Sequence, residues 1–405
     1  MLSTKSIEVV RATLPVVAAA IGDITPAFYR SMFAAHPELK RDLFNRGNQA
    51  QGDQARALAG AIAAYATILV TDSRRTPEEI LTRIAHKHVS LGIVAEQYPI
   101  VHEHLFKAIV AVLGEGVTPE VAAAWDEVYW AMANALIAME AGLYAGAGVE
   151  PGHGWRQLVV RNRAQESPDT VSFVLAAPDG SPLPIAYPGQ YISVAVRLPD
   201  GARQIRQYSL TRAPQQAAWG ITIKAIPERI DPDGTVRPAG EVSNFLHGNV
   251  FEGDELTVSP PFGDLVLDTS AAPLLLISAG IGCTPIIGML HYLARTAATR
   301  PVTVLHADRS PARHAHRREL KELVERLPGA SLYHWYEDLG GRGSSDTMLP
   351  GRVDLGRVEV RPDALVYLCG PLPFMEEVRR ALADRGVPDS HIHYEVFGPD
   401  TWLAA

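Results

Sequence analysis

Three groups of residues have the types and spacing to do chemistry. The first is Arg83-Ile-Ala-His-Lys-His-Val-Ser90, where His88 offers an imidazole that could bind a metal or a haem iron. Its weight comes from its company on flanking helical stripes: Tyr29, Gln54 and Leu58 before it, Tyr98 and Glu140 after it. Glu140 lies between Leu136 and Leu143 on an otherwise apolar face, where a free charge is costly, so a partner is expected. The second is Gly280-x-Gly282-x-x-Pro285, which follows an apolar strand and opens a helix. Glycines there let the backbone approach a pyrophosphate, Thr284 can cap the helix, Pro285 suits its first turn, and the helix N-terminus attracts anionic oxygens. A tight turn packing helix on sheet fits the same spacing. Cys369-Gly370-Pro371 closes a later strand in an equivalent place.

The third group is Arg206-Gln207-Tyr208-Ser209. A flavin dinucleotide needs a cation for its pyrophosphate, an aromatic surface for its ring and hydroxyl or backbone donors for the ring edge, and this strand supplies all three. Arg206 and Tyr208 share one face at the strand period. Tyr191 adds another aromatic, and Gly240-Glu-Val-Ser243-Asn244 a helix-start anion site. A surface strand of alternating polar residues would read the same way.

The elements that must position these groups fall into three blocks. Residues 1–146 read as helices throughout, with one helix over the first twenty or so residues, Thr25-Pro26 opening a second, and others over 53–70, the His88 segment, 95–113 and 119–144. A Gly- and Pro-rich linker, 147–154, follows. Residues 155–266 carry short strands at 157–162, 170–176, 190–196, 206–210, 220–225 and 255–259, which predict a small antiparallel β-barrel. Residues 267–405 alternate strands and amphipathic helices, which predicts an α/β doubly wound parallel sheet.

Composition bounds the partners. The chain has 405 residues, and its formal charge of −8 argues against a nucleic acid or an anionic membrane. Arg313-His-Ala-His-Arg-Arg318 is the one basic cluster and reads as a solvated helix end. Cys283 and Cys369 lie far apart in apolar surroundings, which fits a reducing cytoplasm without a disulfide framework, a single bridge staying open. Glu8 and Arg11 interrupt the first apolar run, so it reads as an amphipathic helix and not a secretory signal. His86-x-His88 and His102-x-His104 do not read as zinc ligands, because residues two apart on a helix diverge.

Taken together, Arg206-Gln-Tyr-Ser209, Gly280-Ile-Gly-Cys-Thr-Pro285, Cys369-Gly-Pro371 and Glu395-Val-Phe-Gly-Pro399 resemble the ferredoxin-NADP reductase superfamily. Phe44, Gly52-Asp-Gln54, Ala63-Ala-Tyr65 and Lys87-His88 resemble a globin. Their fusion in this order resembles the flavohaemoglobins over essentially the whole chain. A longer segment at 227–238, and His86 where a glutamine is common, depart from that pattern.

The resemblance implies haem b ligated by His88 and flanked by Phe44, with Tyr98 and Glu140 hydrogen-bonded to the ligand. It implies Tyr29, Gln54 and Leu58 around the bound gas, and Lys87 and Glu395 between haem and flavin. It implies FAD on Tyr191, Arg206, Gln207, Tyr208, Ser209 and Ser243, and NADH or NADPH on Gly280, Ile281, Gly282, Cys283, Thr284, Pro285, Cys369, Gly370 and Pro371. Val396, Phe397, Gly398 and Pro399 complete the cofactor-binding set. The implied activity is nitric oxide dioxygenase, making nitrate from NO and O₂ with electrons from NAD(P)H through FAD. The small molecules O₂, NO and NAD(P)H are the expected partners of a monomeric chain without obligate membrane association. An oxygen or NO sensor, and a diaphorase reducing ferric chelates, quinones or lipid hydroperoxides, stay open. Asp308-Arg309-Ser310 offers both an acid for a ribose hydroxyl and a cation for a 2′-phosphate, so the nucleotide is undecided.

Overall fold

A computed structural model describes residues 2–71, 76–212, 217–231 and 233–398. They form two compact units, one built on residues up to Arg156 with Ala195–Arg206, the other on Gln157–Val194 with Gln207–Phe397.

The first unit holds α1 (Thr4–Ala35), α2 (Pro37–Asp42), α3 (Arg46–Ala50), α4 (Asp53–Val70), α5 (Pro77–Leu91), α6 (Tyr98–Leu113) and α7 (Pro119–Gly146). The helix break expected at Thr25-Pro26 is absent: α1 runs unbroken through both Pro15 and Pro26. An interior proline costs about 3 kcal/mol, but α1 buries Val10 and Val17 on one stretch and Ile24, Phe28, Tyr29 and Met32 on the next. Each such side chain contributes about 1.5–3 kcal/mol. Thr25 Oγ1 also donates to Ile21 O at 3.0 Å, giving a carbonyl beside the proline an extra partner. In α5, Thr76 caps the Glu79 N–H, Pro77 occupies the first turn, and Gly92 at φ 82° ends the helix. His88 therefore stands in its last turn.

The barrel sheet has six strands: β1 (Arg156–Ser167), β2 (Thr170–Ala176), β3 (Tyr191–Arg197), β4 (Arg203–Ser209), β5 (Trp219–Lys224) and, after a small hairpin of β6 (Arg229–Ile230) and β7 (Val236–Arg237) and helix α8 (Glu241–Asn249), β8 (Glu255–Val258). Their order is β4-β3-β8-β1-β2-β5. Just past β4, Thr211 N–H donates to Gly220 O and Gly220 N–H to Arg212 O, so the first strand in that order meets the last and the sheet closes.

The last block is a six-stranded parallel sheet of order β12-β11-β10-β9-β13-β14. It comprises β9 (Leu274–Ala279), β10 (Val302–Asp308), β11 (Ser331–Tyr336), β12 (Met348–Pro350), β13 (Leu365–Cys369) and β14 (Ile392–Glu395), with α9 (Cys283–Arg295), α10 (Arg317–Glu325) and α11 (Leu372–Ala383). The chain leaves β9 toward β10 and later returns on its other side to β13, so the topological switch point lies between β9 and β13. Strands β11, β12 and β14 were not legible in sequence, because Ser331-Leu-Tyr-His-Trp-Tyr336 and Ile392-His-Tyr-Glu395 mix polar and aromatic residues and β12 ends in proline. Among the described residues no helix is long and apolar enough to cross a membrane.

Candidate active site

The histidine of α5 meets the carboxylate of α7. His88 Nδ1 lies 2.7 Å from Glu140 Oε1 and 3.2 Å from the Tyr98 hydroxyl, which itself donates to Glu140 Oε1 at 2.6 Å. Glu140 is 2% exposed, so these donors are what make its burial tolerable. Burial, reinforced by Glu140, pushes the Tyr98 phenol far up and keeps it a donor. Tyr129 donates to the Tyr98 carbonyl at 2.6 Å and fixes the start of α6. With Nδ1 committed, Nε2 is the nitrogen left to bind iron, which is the arrangement a ligating histidine needs.

On α1, the Tyr29 side chain is buried against Phe28, Phe33 and Phe44, with ring centroids 4.6, 5.6 and 5.9 Å away. Leu58 packs into the same cluster. Burial raises the Tyr29 phenol despite opposing hydrogen bonds from Gln54 and Gln49, so its proton stays on at neutral pH. Gln49, on α3, escaped the sequence reading because its helix is a single short turn. Its side chain reaches the Tyr29 hydroxyl together with that of Gln54. An apolar aromatic cluster with a polar hydroxyl, together with a histidine whose Nδ1 is committed, supplies the side chains that haem and a diatomic gas would need.

Within the same unit, Arg203 and Gln204 hold the segment that carries Phe44. Gln204 Nε2 donates to the carbonyls of Arg41 and Phe44 at 3.0 and 3.2 Å, and Arg203 N–H donates to Asp42 Oδ1 at 3.0 Å. The bond from Arg41, then that from Arg203, holds the Asp42 carboxyl down at about 2. Asp42 and Gln204 gave no sequence signal, since nothing local distinguishes them from surface residues. Lys87 is half-buried and donates to Gly398 O at 3.4 Å.

On β4, Arg206, Gln207 and Tyr208 are half-buried and Ser209 is buried. Arg206 Nη1 donates to Ile205 O at 2.7 Å and Gln207 Nε2 to Ser193 Oγ at 3.0 Å. Tyr191 is buried where β3 bridges to Phe262. Ser243 sits in the first turn of α8, its Oγ 3.5 Å from Gly240 O. A cation, an aromatic, hydroxyls and a helix start suit a flavin dinucleotide.

At the switch point, Gly280, Ile281 and Gly282 form a single 3₁₀ turn leading into α9. A side chain at Gly282 would overlap the Cys369 carbonyl and Gly370 N–H, so glycine is what lets the two loops meet. Thr284 does not cap α9 as expected: its Oγ1 donates to Ile281 O at 3.0 Å. The first N–H groups of α9 thus have no side-chain cap, which suits a helix start that receives an anion. Cys283, Pro285 and Cys369 are buried, and burial raises both thiols. Pro371 is exposed at the start of α11, with Gly370 half-buried before it. Glu395 is paired in register with Cys369 and is buried, Val396 is buried, Phe397 is 48% exposed, and Pro399 lies outside the described residues.

The basic cluster 313–318 is no solvated helix end. Arg313, Arg317 and Arg318 are exposed, but the stretch His314, Ala315 and His316 between them is buried ahead of α10.

Residues 26–136 match the globin family, 157–266 the oxidoreductase FAD-binding domain and 276–380 the oxidoreductase NAD-binding domain. The chain is 41% identical over 412 residues to a flavohaemoprotein of Rhizobium meliloti, covering 99% of each. It is 43% identical over 408 residues to that of Bordetella parapertussis, covering 98% of this chain and 99% of the relative. The chain belongs to the flavohaemoproteins. A crystal structure of a flavohaemoglobin from Malassezia yamatoensis, with FAD and haem bound, superposes with a TM-score of 0.87 at 38% identity, covering 98% of this chain and 100% of that one. As a flavohaemoprotein, the chain is an NAD(P)H-dependent oxidoreductase whose cofactors are haem, FAD and a nicotinamide dinucleotide.

Proposed function

We propose that this flavohaemoprotein is a nitric oxide dioxygenase, converting NO and O₂ to nitrate with electrons from NAD(P)H. The observation that carries the reading is the shared Glu140 oxygen on His88 Nδ1 and Tyr98. A buried carboxylate on Nδ1 makes the imidazole more anionic and its Nε2 a stronger donor, which favours activating a gas over storing it. When bound, haem supplies an iron that can take up dioxygen, and FAD converts a two-electron hydride into single electrons. His88 would hold the iron, and Phe44 and Leu58 would wall the pocket. Tyr29, kept protonated by burial, would donate to oxygen taken up beside it, with Gln54 and Gln49 orienting its hydroxyl. Arg206, Tyr208 and Ser209 would hold FAD, with Tyr191, Gln207 and Ser243 around them. The Gly280–Pro285 turn, with Cys369-Gly370-Pro371, would hold the dinucleotide. Lys87, Glu395 and the 396–399 segment belong in this reading to the electron route.

A solved FAD/NAD-binding portion of a nitric oxide dioxygenase from Vibrio cholerae, 37% identical over 60% of this chain and 99% of that one with a TM-score of 0.54, supports the assignment. A sensor needs no continuous electron supply, so the attached reductase favours turnover. Each nitrate consumes one electron, and about two nitrates per NADH are expected under air. Purified enzyme that oxidises NADH with NO and O₂ present but forms no nitrate would instead be a diaphorase.

A further inference from the structure

His316 has φ 59°, in the left-handed region, although it is not glycine and is 4% exposed. Such a backbone costs about 1–3 kcal/mol and persists only where surroundings over-determine it. Both ring nitrogens are held: Nδ1 lies 2.7 Å from Glu319 Oε2, at the start of α10, and Nε2 lies 2.7 Å from Thr222 Oγ1 in β5 of the barrel. Thr222 Oγ1 is 3.1 Å from Ser172 Oγ on β2, and Ser172 donates to Glu166 Oε1 at 2.7 Å. The other oxygen of Glu166 accepts the His316 backbone N–H at 3.3 Å. The hydrogen bonds therefore form a ring that begins and ends on His316.

Glu319 extends this ring toward the continuation of β4 and toward α9. Its Oε1 accepts from Arg212, which follows the flavin strand β4 by three residues, at 2.8 Å, and pairs with His291 Nε2 on α9 at 2.7 Å. Burial alone would raise this carboxyl, but the bonds from His291, His316 and Arg212 outweigh it and hold it far below the usual carboxylate range. One carboxylate thus joins the continuation of the strand expected to hold FAD to the helix whose N-terminus is expected to face the dinucleotide. Arg313 to Asp169 at 3.0 Å adds a second tie between the same two domains.

We propose that His316 and Glu319 are positioning residues for hydride transfer: they set the register between the barrel and the α/β domain without touching either cofactor. In the step they would serve, a hydride would leave C4 of the nicotinamide with its electron pair and bond to N5 of the flavin, leaving an oxidised dinucleotide and a two-electron-reduced flavin. That step needs the reacting atoms about 3–3.5 Å apart, and a misplacement of about 1 Å can cost a hundredfold. The proposal rests on the reductase half of the assignment and is independent of what the haem does with the electrons.

The test is anaerobic stopped-flow reduction of the flavin in the full-length holoenzyme, with NADH or NADPH, whichever reduces it faster. His316→Gly accepts the backbone angle and deletes the ring, so it separates strain from hydrogen bonding. It is expected to slow the limiting rate about tenfold or more while dinucleotide affinity changes little. His316→Asn tolerates the same angle, keeps an amide donor and should recover part of the rate. Thr222→Val should slow the step in the same sense, and the double variant should be no slower than the worse single. Hydrogen exchange should rise in 219–224 and 317–325 of His316→Gly and stay unchanged in 98–113. A wild-type limiting rate in both His316→Gly and Thr222→Val overturns the proposal. So does a loss that appears only in dinucleotide affinity.

Discussion

Glu140 Oε1 stands 2.7 Å from His88 Nδ1, across 52 residues of chain. Tyr98 donates to that same oxygen, so one buried carboxylate orients the ring. The position is fixed by packing: α5 and α7 bury Ile80, Leu81 and Ala85 with Val128, Ala133 and Leu136 in one core.

Glu140→Gln keeps the shape and removes the charge. Haem should remain bound, its reduction potential should rise, and nitrate formation should fall by about 10–100-fold. Potentiometric titration beside a nitrate assay checks this, and an unmoved potential would count against the relay.

His88→Ala should yield a folded protein that keeps FAD and loses haem, because no other protein bond to iron is proposed. An absorbance spectrum decides it: a normal Soret band at full occupancy removes His88 as the ligand.

Arg206→Ala and Ser209→Ala each delete a proposed contact to FAD, and a charge-assisted hydrogen bond is worth about 1.5–3 kcal/mol. FAD should bind about tenfold or more weakly, with haem content unchanged. Parallel loss of both cofactors would point to misfolding.

Tyr29→Phe removes one hydroxyl and leaves the aromatic cluster filled. Dioxygen should leave faster, and nitrate formation should drop most at low O₂ and recover as O₂ rises. Ferricyanide reduction, which needs only the flavin half, should stay near wild type. Nitrate yield across several O₂ concentrations is the measurement, and an unchanged yield at low O₂ would sink the dioxygenase reading.

The α/β domain should lose stability in mild acid. Burial, then His306 and Arg317, lowers His334 to about 4, and burial, then His306 and His334, lowers His314 well below its ordinary value. Both are neutral in the folded protein where an unfolded histidine would take a proton. Their contribution is therefore intact above about pH 6.5 and is lost as pH falls toward about 4. Melting temperature followed from pH 7 to 4 should decline less steeply in His334→Gln than in wild type.

Residue type and spacing alone determined what is local. Strand-to-helix glycines, an arginine and tyrosine at strand period and apolar stripes at helical period are short-range patterns, so the order of an all-α domain, a barrel and a doubly wound sheet could be read directly. The need for a partner at Glu140 was also legible, because a carboxylate on an apolar face is costly wherever that face packs. Which residues answer that need was decided by tertiary packing, as with Tyr98 and His88. The unbroken α1 depended on it too, since buried side chains along its length outweigh a proline that local rules treat as a stop. So did the inward turn of His314 and His316, whose sequence reads as solvent-facing charge, and the chain from Glu166 through Thr222 to Glu319. Those partners lie up to 150 residues apart. No local propensity carries that information, because a hydrogen bond between distant segments has an energy only once the fold has placed its donor and acceptor within about 3 Å.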